Sequence, residues 1–302
     1  MSKNFRNIRS SSPRAFSLIE LAIVLIIMGL LIGGVIGGGE LIRSAELRAI
    51  MTEARSYSVA VKAFFVQYDE LPGDNKTDKS SSGYFGNGDF KIQYQADKCN
   101  NAENINNCRK QSSESFGAFH TLGKAGIIDN YPRDNNYTAF GVIGNPSITK
   151  LMPGTHFPSS KRKGLGWMMD NIIAVSLERN VVFLTGPFPV ISDSCSIASR
   201  INNSQNISCG MIGYNNGKSI YSGYLDTNNP EEYYNGLTSK DAFLIDTKSD
   251  DGNPETGKVT ATTYAPIGDV SYQNSCYDNS SKKYTRLHIK SCITAYVIDH
   301  KS

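Results

Sequence analysis

From Phe16 to Gly39 the chain is apolar except at Ser17 and Glu20. A run of that length matches a membrane-spanning helix. The apolar pattern continues beyond it. Leu47, Ile50, Ala54, Tyr57, Val61, Phe64/Phe65 and Tyr68 recur at alternating steps of three and four, which marks one apolar face of a helix. Glu46, Arg48, Glu53, Arg55 and Lys62 fill the other faces. No proline intervenes until Pro72, where "LPGD" removes an amide donor and forces a turn. The pattern predicts one helix from about Phe16 to about Asp69, roughly 80 Å long at ~1.5 Å per residue. Only ~30 Å of it fits in hydrocarbon, so the remainder must pack its apolar face on something else.

Residues 71–115 read as loops. A short helix is predicted around 114–127, and strand-like runs follow at 171–177, 181–186, 241–247, 258–264 and 286–298. Strands that come after a long helix, rather than alternating with helices, predict an α+β fold with an antiparallel sheet. The stretch 192–240 is rich in Asn, Ser, Gly and Tyr and reads as loops and short strands. The predicted organisation is a basic leader (1–15), a hydrophobic transmembrane helix (16–39), its amphipathic continuation (40–70) and a globular head (71–302).

Charge refines this picture. The formal net charge is +3, but Lys3, Arg6, Arg9 and Arg14 all precede Phe16 and no acid does. Without that leader, bases and acids nearly balance. A neutral body argues against nucleic acid as a partner, because phosphate binding needs a basic patch. The basic flank places the leader on the cytoplasmic side of a membrane. A secretory signal peptide fits worse, since the apolar run is long and no A-x-A-like site follows it.

The six cysteines are Cys99, Cys108, Cys195, Cys209, Cys276 and Cys292. An even number behind a membrane-targeting segment suggests three disulfides made in an oxidising compartment. Fifteen connectivities are open. Nearest-neighbour pairing, Cys99–Cys108, Cys195–Cys209 and Cys276–Cys292, closes three short polar segments, and free thiols in a reducing compartment are the alternative. Asp246, Asp250 and Asp251 crowd a Gly/Pro-rich stretch, and hard oxygens on a loop suit calcium. Lys248 and the lack of a closing Glu exclude an EF-hand. Asp74, Asn87 and Asp89 form a second such group, and ordinary turn chemistry is the competing explanation for both. Catalysis has no support: His120, His156, His288 and His300 are scattered, and there is no GxSxG elbow, phosphate loop or dinucleotide fingerprint.

A carboxylate inside a membrane span is costly, and by default it marks function. The segment "RAFSLIELAIVLIIMGLL" resembles the processing and assembly segment of type IV prepilins and type II secretion pseudopilins. "QYDELPGD", "GYFGNGDF", "FHTLGKAGIID" and "AFLIDTKSDDGNPETGKVTA" resemble blocks in large-headed members of that group. The resemblance implies a pilin-like fold and cleavage between Ala15 and Phe16 by a prepilin peptidase. It also implies N-methylation of Phe16, with Glu20 as mature residue five. Ala15 stands where the family usually has Gly. A calcium-binding loop in the head is a further implication. So is polymerisation with itself and other pilin-like subunits at the inner membrane, on an assembly platform driven by a separate cytoplasmic ATPase. The resulting filament would be a type IV pilus or a secretion pseudopilus, with a large head suited to a minor subunit.

The chemistry of that segment stands apart from the name. Cleavage gives Phe16 a cationic amine, and Glu20 of a neighbouring copy can neutralise it as both leave lipid, since either charge alone costs several kcal/mol. Snorkelling of Glu20 to the headgroups is the competing explanation. Gly29, Gly33 and Gly37 form small-xxx-small steps that let helices approach closely. With their neighbours they also weaken the helix, each by roughly 1 kcal/mol relative to Ala, and predict a place for bending. A membrane-anchored periplasmic binding protein that does not polymerise is the alternative to a filament subunit.

Overall fold

The computed structural model describes residues 17–75, 86, 88–92, 114–131, 150–174, 177–189, 213–215, 218–221, 236–264, 275–278, 280–288 and 290–298. The first helix, α1, runs without a break over Leu18–Tyr68. It ends where Asp69 takes a left-handed conformation (φ 57°) and donates its amide to the Phe65 carbonyl. Asp tolerates that conformation, and Pro72 prevents the helix from resuming. Gly73 follows with φ 83°, and a Cβ there would lie 2.3 Å from the Glu114 carbonyl. Only glycine satisfies both the turn and that close approach.

Contacts divide the chain into two units, Met1–Ala45 and Glu46–Ser302, and α1 contributes to both. In the second unit α1 buries Leu47, Ile50, Ala54, Tyr57, Ala60, Val61 and Phe64. Among the described residues two further helices are α2 (Glu114–Lys124) and α3 (Ser239–Ser249). The strands are β1 (Lys150–Leu151), β2 (Gly166–Ala174), β3 (Leu177–Thr185), β4 (Phe188–Pro189), β5 (Gly213–Asn215), β6 (Lys218–Tyr221), β7 (Val259–Tyr264), β8 (Tyr277–Asp278), β9 (Lys283–Tyr284) and β10 (Cys292–Val297). The main sheet has the order β2-β3-β10-β7-β6-β5. Its pairings are antiparallel except β6 with β7, which is parallel. The fold is therefore α+β, with a long N-terminal apolar helix and a largely antiparallel sheet.

Register explains which sheet residues meet α1. Met169, Val182, Tyr296 and Val259 lie opposite one another across four strands, as do Trp167, Leu184, Thr294 and Ala261. Directly opposed residues share a face of the sheet. All but Thr294 belong to one apolar core with the buried face of α1, Phe119 and Leu122 of α2, and Ala242 and Ile245 of α3. Tyr57 of α1 is the hinge of this packing, edge-on to Phe119 at 5.3 Å and against Trp167 at 5.8 Å between ring centroids. Met168, Phe183, Ile293 and Ala295 alternate with those residues and are buried on the opposite face.

Two polar contacts pin α1 in register. The Glu53 carboxylate accepts from Trp167 Nε1 (2.9 Å), Ser160 Oγ (2.6 Å) and the Lys161 amide (2.8 Å). Arg162 reaches Asp241 in the first turn of α3 at 3.3 Å and Glu46 of α1 at 4.0 Å.

Residues 241–247, expected as a strand, form most of α3 instead. Thr238 caps that helix by accepting the Asp241 amide at 3.1 Å, which satisfies a donor that the first turn leaves free. The buried positions Ala242, Ile245 and Asp246 then follow helical spacing.

Replacing Glu53 with Ala removes three acceptor contacts and leaves the indole N–H of the fully buried Trp167 without its partner. We expect a loss of about 2–3 kcal/mol in denaturant unfolding of the detergent-solubilised chain, and a smaller loss for Glu53→Gln. A change within about 0.5 kcal/mol, the usual range of a surface substitution, contradicts this role.

Candidate functional site

The first unit is described from Ser17 onward. Its large apolar residues are exposed, from Leu18 at 88% to Val35 at 76% and Ile42 at 64%. The segment is long and apolar enough to cross a membrane. At its start, Glu20 Oε2 accepts the Ser17 amide at 2.9 Å while Ser17 Oγ faces the Ile19 amide at 3.4 Å. Ser17 is the cap and Glu20, three residues on, returns to its amide; this is the S-x-x-E arrangement of a capping box, with the hydroxyl on the Ile19 amide instead of that of Glu20. The carboxylate thus has a backbone donor, the Ser17 amide, within its own helix end, where the helix dipole also favours negative charge. Sequence reasoning placed Glu20 but missed Ser17, although the S-x-x-E spacing carries the signal. Ala15 and Phe16 lie outside the described residues.

The helix stays unbroken through Gly33, Gly34, Gly37, Gly38 and Gly39. A Cβ placed on any of these, or on Gly29, meets nothing within 4 Å. No contact among the described residues requires glycine at these positions.

The acidic stretch is a helix end rather than a loop. Asp246 lies inside α3 and is fully buried, Asp250 is the residue that closes α3, and Asp251 follows it. One oxygen from each carboxylate lies within 4.8 Å of the others. Asp246 accepts from the Gly252 amide (3.2 Å) and the Tyr284 hydroxyl (2.8 Å). Asp250 accepts from the amides of Lys258 and Val259, and Asp251 from the Asn253 amide and the Thr256 hydroxyl. The turn closes on its own donors, as Asp and Asn turns do. A calcium ion here would have to compete with them. Burial pushes the Asp246 carboxyl up from 3.8 to about 6, with Asp250 and Asp251 adding to the rise, while Tyr284 and Gly252 pull the other way. The same neighbourhood pushes the buried Tyr284 hydroxyl far above its ordinary value.

Asp74 is the second acidic organiser. It accepts the amides of Gly88 (2.6 Å) and Phe90 (2.7 Å) and so ties the "LPGD" turn to the following loop. Its carboxyl, too, is pushed up to about 6 by burial, against those two amides. Asp89 and Glu114 lie within the same 4.8 Å grouping. Glu114 comes from the start of α2 and was not foreseen, whereas Asn87 lies outside the described residues. Among the cysteines, Cys276 and Cys292 are joined in a disulfide across 16 residues, anchoring the start of β8 to β10. Cys99, Cys108, Cys195 and Cys209 lie outside the described residues.

These features define a chain with one exposed apolar helix of membrane-spanning length and an α+β unit built on a second stretch of the same helix. No protein-family model matches the sequence, and no curated protein or solved structure matches it either.

The two raised carboxyls give stability a pH dependence of definite sign. In the unfolded chain they release their protons near 3.8, and in the folded chain near 6. Between these values the folded state binds more protons, so their contribution is complete below the lower value and is lost as pH rises through the upper one. Asp246→Asn, neutral throughout, should flatten the fall in melting temperature over that window. A slope equal to wild type contradicts the buried, proton-holding state of Asp246.

Proposed function

We propose that this chain is a pilin-like or pseudopilin-like structural subunit. It is inserted in the inner membrane with its α+β unit in the periplasm and is cleaved after Ala15. It is methylated at Phe16 and polymerises through α1 into a type IV pilus or a type II secretion pseudopilus. Its large head suits a minor subunit. It carries no phosphate loop, so the work of assembly comes from a separate ATPase, and the chain itself is not an enzyme.

One observation carries this reading. The exposed apolar half of α1 holds a single acid at its start, Glu20, five positions into the chain counted from Phe16, and this acid caps its own helix. The cap gives the subunit a state it can occupy in lipid before assembly. In the filament, the Phe16 amine of a neighbouring copy offers the same carboxylate an opposite charge, and a desolvated pair of that kind forms only at one axial stagger. Glu20 acts as the register of assembly, and the membrane stores subunits.

Two variants separate charge pairing from capping. Gln can complete a capping box but carries no charge. If Glu20 pairs with an amine, Glu20→Gln and Glu20→Ala should both lower the yield of sheared, pelleted filaments by at least about tenfold, the factor that ~1.4 kcal/mol supplies. Filaments from Glu20→Gln at the wild-type level, with loss only in Glu20→Ala, would assign the residue to capping alone.

A further inference from the structure

Two stretches of the second unit lie side by side at the start of α3. Gly236 donates its amide to the Lys290 carbonyl at 3.3 Å, and the Arg286 amide donates to Ser239 Oγ at 2.8 Å. This pairing gathers Lys240, Arg286, His288 and Lys290, all exposed, around the exposed Leu287. Asp241, the acid next to Lys240, is buried and held by Arg162 at 3.3 Å. Among the described residues no carboxylate pairs with Lys240, Arg286 or Lys290. Unbalanced positive charge is therefore concentrated here, although bases and acids nearly balance along the chain beyond Phe16.

Arg286 is the fixed point of this surface. Its backbone takes a left-handed conformation (φ 58°), which a side chain other than glycine adopts at a cost. Its guanidinium carbon lies 4.6 Å from the centre of the Phe243 ring. Phe243 meets Tyr284 edge-on at 5.7 Å, and the Tyr284 hydroxyl donates to the buried Asp246. The exposed cation is thus steadied by a relay of contacts that runs into the core. A guanidinium stacked in this way keeps its planar fork of donors for a carboxylate or phosphate and loses little freedom on binding one.

The surroundings narrow the partner. Phe243 is half-buried with its face under Arg286, so it offers no free aromatic platform to a nucleic acid base. Among the described residues here only Leu287 is a well-exposed large apolar side chain, too little for the apolar centre of a protein interface. The stretch also lies between Cys276 and Cys292, whose disulfide belongs to an oxidising compartment, away from the cell's own nucleic acids. We infer that this surface binds an anionic glycan, a polysaccharide bearing carboxylate or phosphate groups. Arg286 takes one such group on its fork, and Lys240 and Lys290 meet charges on either side. The binding belongs to the second unit and does not require α1 to polymerise.

Full-length protein in neutral detergent tests this on immobilised polygalacturonate and phosphorylated mannan, with neutral dextran as the blank. Salt-sensitive retention is expected on at least one of the two anionic glycans and none on dextran. Arg286→Gly, which relieves the backbone, should keep the melting temperature within about 3 °C while weakening that binding about tenfold. Arg286→Lys should weaken it too, since it retains the charge but not the fork. Lys240→Glu with Lys290→Glu, which leaves Arg286 and its contacts in place, should also weaken it about tenfold, whereas Lys124→Ala, at an exposed base closing α2, should not. No retention on either anionic glycan, equal retention on dextran, or wild-type binding by the Arg286 variants or the double variant would overturn the inference. So would tighter binding to a short DNA duplex or to phosphatidylglycerol vesicles than to either glycan.

Discussion

Everything in the second unit depends on one face of α1 finding one face of the sheet. Leu47, Ile50, Ala54, Tyr57, Val61 and Phe64 are buried, and so are the sheet residues of the two cross-strand rows that they share a core with. Burying a large apolar side chain contributes ~1.5–3 kcal/mol, which makes this contact the largest source of stability available to the unit. Hydrophobic contact is non-directional, however, and could tolerate a helix slid or rotated by one turn. Glu53 removes that freedom. Its carboxylate meets an indole N–H, a hydroxyl and an amide that exist together at only one position. The helices α2 and α3 then close on the same core, with Phe119 against Tyr57 and Arg162 linking α3 to α1.

The same helix obeys opposite rules in its first unit. There the apolar residues face outward, no side chain stands near the glycines, and Glu20, the acid inside the apolar run, is bonded to its own helix end. A protein surface of that composition is stable only in an apolar solvent or against other helices. One continuous helix thus combines a segment that fits lipid or partner helices with a segment that organises a packed α+β unit. That combination suits a subunit which is stored in a membrane and later packed against its own kind.

The extent of α1 was legible because its signals agree: period 3.6, no proline and a strong stop at Pro72. The sheet strands at 181–186 and 258–264 were legible from short β-branched and apolar runs. The stretch 241–247 was not, because a short apolar run reads equally as buried strand or helix. The deciding mark was the cap, Thr238 three residues before Asp241, and it outweighed the run itself. The parallel pairing of β6 with β7 had no local signature, since pairing partners are set by the whole sheet. Within the candidate site, Glu20 was visible as an anomaly in an apolar run. The reason it is tolerable in a lone chain, Ser17, was visible only to a search for reciprocal caps. Asp246 looked like a loop ligand because its neighbours are turn formers, whereas its burial against Tyr284 depends on a hairpin far along the chain.

The central claim is that α1 begins, in the mature protein, at a newly made amine. Intact-mass and N-terminal peptide mass spectrometry of the protein isolated from its native membrane measures this directly. The account predicts a chain that starts at Phe16 and carries one N-methyl group. A chain that keeps residues 1–15 in the membrane would contradict it and leave α1 as an anchor alone.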